Sequence, residues 1–287
     1  MSVDIGITGQ RNLLKQIDWQ VEANCFPRFS IIVGPVGSEK FKIAKYVAKK
    51  LCCFFFDAVD TRIETIRSII NDAYKTQAPI VYIINNADDM SIPAKNALLK
   101  VTEEPPNDAY FVMILEDINN TLDTIKSRAT IFTMEPYSKD QLSNYFDSMY
   151  KATTAYKDIV LSLSETPGDI DLLQNIGGYV CEADKFYGYV AKVVDNIGEV
   201  NGANSFKIAD KVALKDEADK YDLRMFWKAC CELFHYKALH FNIADTYVAN
   251  IEAMQATSDA LKKLRIRGVN KQMLFDEWIL NVREALR

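Results

Sequence analysis

Phe29-Ser30-Ile31-Ile32-Val33-Gly34-Pro35-Val36-Gly37-Ser38-Glu39-Lys40-Phe41 joins an apolar run, a glycine-bearing turn and the start of an amphipathic stretch. The run is short and continuous, as in a strand buried on both faces. Beyond the turn, Ile43, Ala44, Val47, Ala48 and Leu51 recur at helical spacing over residues 39–52. Strand, glycine turn and helix form the setting of a phosphate-binding loop, in which backbone N–H groups cradle phosphate, a lysine neutralises charge and a hydroxyl holds Mg²⁺. Gly34, Pro35, Gly37 and Lys40 stand in register with that pattern. Two positions depart from it. Glu39 takes the place of the glycine before the lysine, bringing bulk and negative charge, and Phe41 takes the place of the hydroxyl and has no atom to offer a metal.

Outward from this stretch the same alternation continues. A helix is expected over 11–24, strands at Cys53–Phe56, Ile80–Ile84, Tyr110–Leu115 and Ala129–Met134, and helices at Arg62–Lys75 and Ala94–Glu103. The last stops at Pro105-Pro106. Strands alternating with helices predict a parallel sheet covered on both faces. After Pro136 the pattern is helical with no strong strand signal. Pro136, the loop Glu165–Gly168 and Gly177-Gly178 are candidate boundaries, giving expected domains at 1–136, 137–180 and 181–287. The last reads as a bundle of about five helices.

A second nucleotide motif would end the third strand in Asp-Glu, one acid for Mg²⁺ and one to polarise water. Here Ile84 is followed by Asn85 and Asn86, neither of which is a general base. Asp88 and Asp89 lie further on, and a solvent-exposed polar turn is the preferred reading for them. The residues that phosphoryl-transfer chemistry needs are therefore replaced together, and no hydrolysis by this chain alone is expected.

Bulk properties bound the remainder. The 287 residues carry a net charge of −5, with half hydrophobic and a quarter charged, an ordinary globular composition without a basic face or tail. The N-terminus has no signal pattern and no apolar run approaches a membrane span, so a cytoplasmic, non-membrane protein is expected. The six cysteines include the adjacent pairs Cys52-Cys53 and Cys230-Cys231, with no CxxC spacing, so neither a disulfide framework nor a zinc site is expected. Cys231 and His235, four apart, could face one metal, but two packed helix residues are the preferred reading.

The run Ala94-Lys95-Asn96-Ala97-Leu98-Leu99-Lys100-Val101-Thr102-Glu103-Glu104-Pro105-Pro106 is the most specific feature of the sequence. It resembles the corresponding run of clamp-loader subunits of the AAA+ superfamily. Gly9-Gln10, Ser127-Arg128-Ala129 (the Ser-Arg-Cys motif with Ala as its third residue) and Thr166-Pro167-Gly168 extend the resemblance over residues 9–168. It implies an α/β AAA+ P-loop domain, a small helical lid and an all-helical C-terminal collar. ATP-binding members also carry a polar sensor and a lid arginine. This chain has Leu115-Glu116-Asp117 and Asp169 in those places, and it lacks the four-cysteine zinc module frequent in bacterial members. The combined losses resemble the delta-prime branch of DNA polymerase III, which closes the loader ring without hydrolysing ATP.

By that resemblance Arg128, with Ser127 as its motif neighbour, is an arginine finger reaching the ATP of an adjacent subunit. Asn96, Leu98 and Leu99 would order the central helix, and an exposed Lys100 could meet DNA phosphate, although an ordinary surface lysine is the preferred reading. The implied partners are other clamp-loader subunits (ATPase and clamp-opening), a sliding clamp and primer-template DNA. No cofactor is required on this reading, and ATP binding is in doubt. Two alternatives stay open: an AAA+ ATPase with atypical motifs, and an AAA+ module repurposed as an interaction scaffold outside replication.

Overall fold

The computed structural model describes residues 6–58, 60–106, 108–150, 154–175, 182–199, 212–213, 221–240, 244–264, 266 and 268–287. Cys181 and Gly177-Gly178 lie outside them. The chain forms two compact units, one of residues 1–145 with 166–168, the other of residues 146–165 with 169–287.

The first unit is a five-stranded sheet in the order β2-β3-β4-β1-β5, parallel throughout. Its strands are β1 (Phe29–Val33), β2 (Phe54–Asp57), β3 (Ile80–Ile84), β4 (Ala109–Leu115) and β5 (Thr130–Thr133). Its helices are α1 (Arg11–Glu22), α2 (Lys40–Lys50), α3 (Ile63–Ala73), α4 (Ile92–Glu103) and the short α5 (Asp123–Lys126). Each expected strand and helix of this unit is present, with ends shifted by a few residues.

Period-two alternation sorts the central strands onto two cores. Tyr82, Ile84, Phe111 and Met113 face one layer with Ile66 and Ile69 of α3 and Leu98 of α4. Val81, Ile83, Val112 and Ile114 face the other with Ile17 of α1 and Ile43 and Val47 of α2. Both faces being covered is why the inner strands read as unbroken apolar runs. The edge strand β2 differs, for Phe54, Phe55 and Phe56 are all exposed.

Helix α4 begins two residues before the expected Ala94. Ser91 caps it, its Oγ accepting the Ala94 N–H at 3.3 Å, and Pro93 fits the first turn because its missing N–H would be unsatisfied there anyway. Leu98 is buried in the core and Leu99 partly so, whereas Asn96 is exposed.

From α6 (Lys139–Met149) the chain passes into the second unit, with α7 (Thr154–Leu163), α8 (Pro167–Asn175), α9 (Glu182–Asn196), α10 (Leu223–His240), α11 (Ala244–Leu264) and α12 (Lys271–Ala285). The sequence suggests no strand here, yet Val212–Ala213 and Tyr221–Asp222 pair in parallel. Two-residue strands are too short to show alternation. The core of α10, α11 and α12 is aromatic. Phe226 meets Trp278 edge-on at 5.6 Å and Trp227 stacks on Phe275 at 6.4 Å. The Trp278 indole N–H donates to Thr257 Oγ1 at 2.9 Å, so its burial leaves no polar atom stranded. Among the described residues, no helix is long and apolar enough to cross a membrane.

Candidate functional site

The carboxyl ends of β1, β3 and β4 open onto a cavity of about 230 Å³ lined by residues 36–41, Asn85, Asn86, Asp88 and residues 114–116. That is where an open α/β sheet takes ligands. The volume falls below the roughly 300–1,000 Å³ usual for ligand pockets.

Glu39 controls this corner. Its backbone is left-handed (φ 61°), the conformation that the glycine of a phosphate loop supplies without strain. Its side chain is only 5% exposed. One carboxylate oxygen accepts the Thr8 N–H at 2.8 Å, and the other pairs with Lys42. The acid is thus built into the loop and ties the segment before α1 to it. Lys40 lies in the loop with its Nζ donating to the Gly34 and Pro35 carbonyls, each at 2.7 Å. Ser38 Oγ donates to Pro35 O at 2.7 Å. The Phe41 ring lies beneath the Lys45 ammonium, 4.4 Å from its centroid. Where a Mg²⁺–nucleotide needs open backbone N–H groups and a hydroxyl, this chain offers a carboxylate and an aromatic ring; the residues present do not fit that group.

Gly37 (φ 76°) touches the Thr166–Gly168 segment. A Cβ there would sit 2.6 Å from Thr166 Oγ1 and 2.8 Å from Gly168 Cα. The Gly168 N–H, which has no partner within the first turn of α8, donates to Gly37 O at 3.0 Å. Pro167 therefore opens a helix rather than continuing a loop.

At the end of β3, Asn85 Oδ1 accepts the Asn86 N–H at 3.0 Å, and Asn86 adopts a left-handed turn. Asp88 differs from its expected place in solvent. It is half-buried and accepts three hydrogen bonds, from Glu116 N (2.7 Å), Asp117 N (3.2 Å) and Asn120 Nδ2 (2.8 Å). It ties the β3 end to the loop after β4, a fixed acceptor and not a free base. Its offset from the strand end carries no signal of this in the sequence.

Gln10 has a similar hidden role. Its amide bonds the Glu135 backbone in both directions, Nε2 to Glu135 O and Oε1 from Glu135 N, each at 2.8 Å. This clips the chain before α1 to the end of β5.

Arg128 stands apart from the cavity residues, between α5 and β5. Its backbone N–H closes the α5 turn on Ile125 O, Nη1 donates to Thr124 O at 2.9 Å, and Nη2 pairs with Glu103 at 3.0 Å. Its side chain is 39% exposed. Ser127 is exposed, its Oγ donating to Thr124 O at 3.2 Å. Lys100 is exposed, its Nζ 4.8 Å from the Tyr74 ring centroid.

In the second unit, Asp169 is fully buried. Its carboxylate meets Arg224 at 2.9 Å and Lys228 at 3.2 Å, and accepts the Glu165 N–H at 3.0 Å. Asp169 is thus an acid paired with two cations of α10. Cys231 Sγ donates to Met254 O at 3.8 Å, while His235 is exposed; among the described residues no cluster of three or more His, Cys, Asp or Glu could hold a metal ion.

A parallel sheet with the glycine-bearing loop of residues 34–41 at its carboxyl edge, followed by helices, is a fold of the AAA+ class. The Thermotoga maritima RuvB branch-migration motor superposes with a TM-score of 0.50 at 14% identity, covering 95% of this chain and 87% of that one. Residues 57–138 match the family described as DNA polymerase III, delta subunit. The Bacillus subtilis DNA polymerase III subunit delta' is 32% identical over 40% of this chain and 32% of its own. A Buchnera aphidicola DNA polymerase III subunit gamma is 27% identical over 61% of this chain and 51% of its own. The chain is similar to gamma and delta' subunits of DNA polymerase III, and spans about a third to a half of the length of the curated relatives it matches.

Proposed function

We propose that this chain is a clamp-loader subunit of the delta-prime kind, which closes a hetero-oligomeric ring and acts in trans on a neighbouring ATPase subunit. The observation that carries this reading is Glu39. A carboxylate occupies the glycine position of the phosphate loop, nearly buried and hydrogen-bonded to Thr8. An anion fixed there repels the phosphates that the loop would otherwise cradle, while Phe41 has no ligating atom and Asn85 and Asn86 supply neither a negative charge to neutralise a metal ion nor a base. Chemistry at this corner is therefore not the chain's contribution, and no nucleotide, Mg²⁺ or zinc is needed for its role.

Arg128 supplies what the loop does not. It is an exposed guanidinium, held by Thr124 O and Glu103 at the edge of the sheet unit. A planar fork of this kind stabilises charge on a transferred phosphoryl group. On this reading the partners are the ATPase and clamp-opening subunits, a sliding clamp and primer-template DNA within the assembly, and the place of action is the cytoplasm. The experiment is assembly of the purified chain with the remaining clamp-loader subunits of its host. The reading expects stable incorporation and no ATP turnover by the chain alone. Mg²⁺-dependent turnover abolished by Lys40→Ala would instead favour an atypical ATPase. Failure to join any clamp-loader subunit would favour a scaffold outside replication.

A further inference from the structure

Two stretches 25 positions apart meet through one ion pair: Glu103, the last residue of α4, and Arg128, just after α5. We infer that Glu103 is a positioning residue, holding the Arg128 guanidinium in the orientation from which it reaches a neighbour's phosphate. The inference rests on the trans role proposed above and extends it to a residue with no phosphate contact of its own.

The geometry supports this in three ways. First, the guanidinium is held from two directions, Nη1 by the Thr124 carbonyl and Nη2 by Glu103. Thr124 alone would leave a pivot, and two anchors on different elements define a plane. Second, Nη1 donates to Thr124 O and Nη2 meets Glu103 as an ion pair at 3.0 Å. A guanidinium carries five N–H groups, so Arg128 need not release Glu103 in order to act. Third, Glu103 sits at the carboxyl end of α4, where unsatisfied carbonyls also attract a cation. Ser91, Pro93 and the buried Leu98 fix the rest of that helix, so the carboxylate is presented by a rigid element. Both side chains are partly exposed, 39% for Arg128 and 54% for Glu103. The pair therefore adds little to folding stability, and orientation is its main effect.

The test uses the full reconstituted assembly, with Glu103→Gln placed in both the wild-type and Arg128→Ala backgrounds. Glu103→Gln keeps an acceptor oxygen but loses the charge. It is expected to lower clamp- and DNA-stimulated kcat on the order of fivefold, the scale of an exposed ion pair. The KM for ATP should stay unchanged, because ground-state binding belongs to the neighbour's own loop. Glu103→Asp, which keeps the charge on a shorter arm, should fall between Glu103→Gln and wild type. In the Arg128→Ala background Glu103→Gln should have no further effect. An equal loss in both backgrounds, no loss in either, or faster turnover in Glu103→Gln would overturn the positioning role while leaving the finger standing. If Arg128→Ala is itself without effect, the trans reading fails and this inference fails with it.

Discussion

The carboxylate of Glu39 accepts a hydrogen bond from the Thr8 backbone N–H at 2.8 Å. It joins the middle of the glycine loop to a segment 31 residues away, and it does so from a left-handed backbone that a residue with a Cβ adopts only at a cost.

That conflict makes a sharp prediction. Glu39→Ala loses the Thr8 hydrogen bond and the Lys42 ion pair while keeping the strain, whereas Glu39→Gly loses the same partners and relieves it. Glu39→Gly is expected to be the more stable by about 1 kcal/mol, because only glycine adopts this left-handed backbone without strain. Urea unfolding of the two variants measures this, and Ala being the more stable would contradict it.

Gly37 faces a steric limit of a different kind. A methyl group there would press on Thr166 Oγ1 and the Gly168 backbone. Gly37→Ala is expected to cost at least about 2 kcal/mol, since positive φ and the clash act together. It should also speed proteolysis at residues 165–168, which limited digestion with mass spectrometry would detect.

In the second unit, Asp169→Asn removes the charge that faces Arg224 and Lys228. Arg224 and Lys228 keep Asp222 at 3.9 Å and Glu165 at 3.3 Å, so a loss of about 3 kcal/mol, the low end for a broken buried pair, is expected. Thermal unfolding should show it, and a Tm within a degree of wild type would contradict the buried network.

The thiols give a pH dependence. Burial pushes Cys231 from its ordinary 9.0 up to about 12 and raises Cys230 well above the same value. Between pH 9 and 12 the unfolded chain therefore releases protons that the folded chain keeps, so stability falls as pH rises through that window and is unaffected below it. Replacing both residues by Ser or Ala should flatten the decline in Tm above pH 9. Exposed Cys25 and Cys52 should react with a charged disulfide reagent under native conditions, and Cys230 should not.

The sheet was legible because Ile80–Ile84 and Ala109–Leu115 lie under helices on both faces, so burial leaves unbroken apolar runs in the sequence. Departures from the phosphate-loop pattern stand out in the sequence because that motif assigns each position a chemical duty, which marks Glu39 and Phe41 as replacements. Where those replacements go was not legible. The Thr8, Asp88 and Gln10 contacts cross 28 or more residues, and no local pattern encodes a long-range acceptor. The Val212–Ala213 and Tyr221–Asp222 pair was missed because alternation needs more residues than such strands have. Arg128 could be singled out by its motif, but its tie to Glu103 could not, since neither motif records a contact 25 residues away.

On the proposed reading this chain contributes through Arg128 and not through the loop at residues 34–41. The most direct measurement compares Arg128→Ala with Lys40→Ala in the reconstituted assembly, each variant first matched to wild type in folding and incorporation. The account predicts that Arg128→Ala lowers turnover at the adjacent site by on the order of 10³-fold, seen as a partial loss of total ATPase and a larger loss of clamp loading. Arg128→Lys should not restore it, because a point charge lacks the planar fork, and Lys40→Ala should leave both assays at wild-type values. Unchanged activity in Arg128→Ala together with a loss in Lys40→Ala would contradict the account and place the chemistry in the chain's own loop.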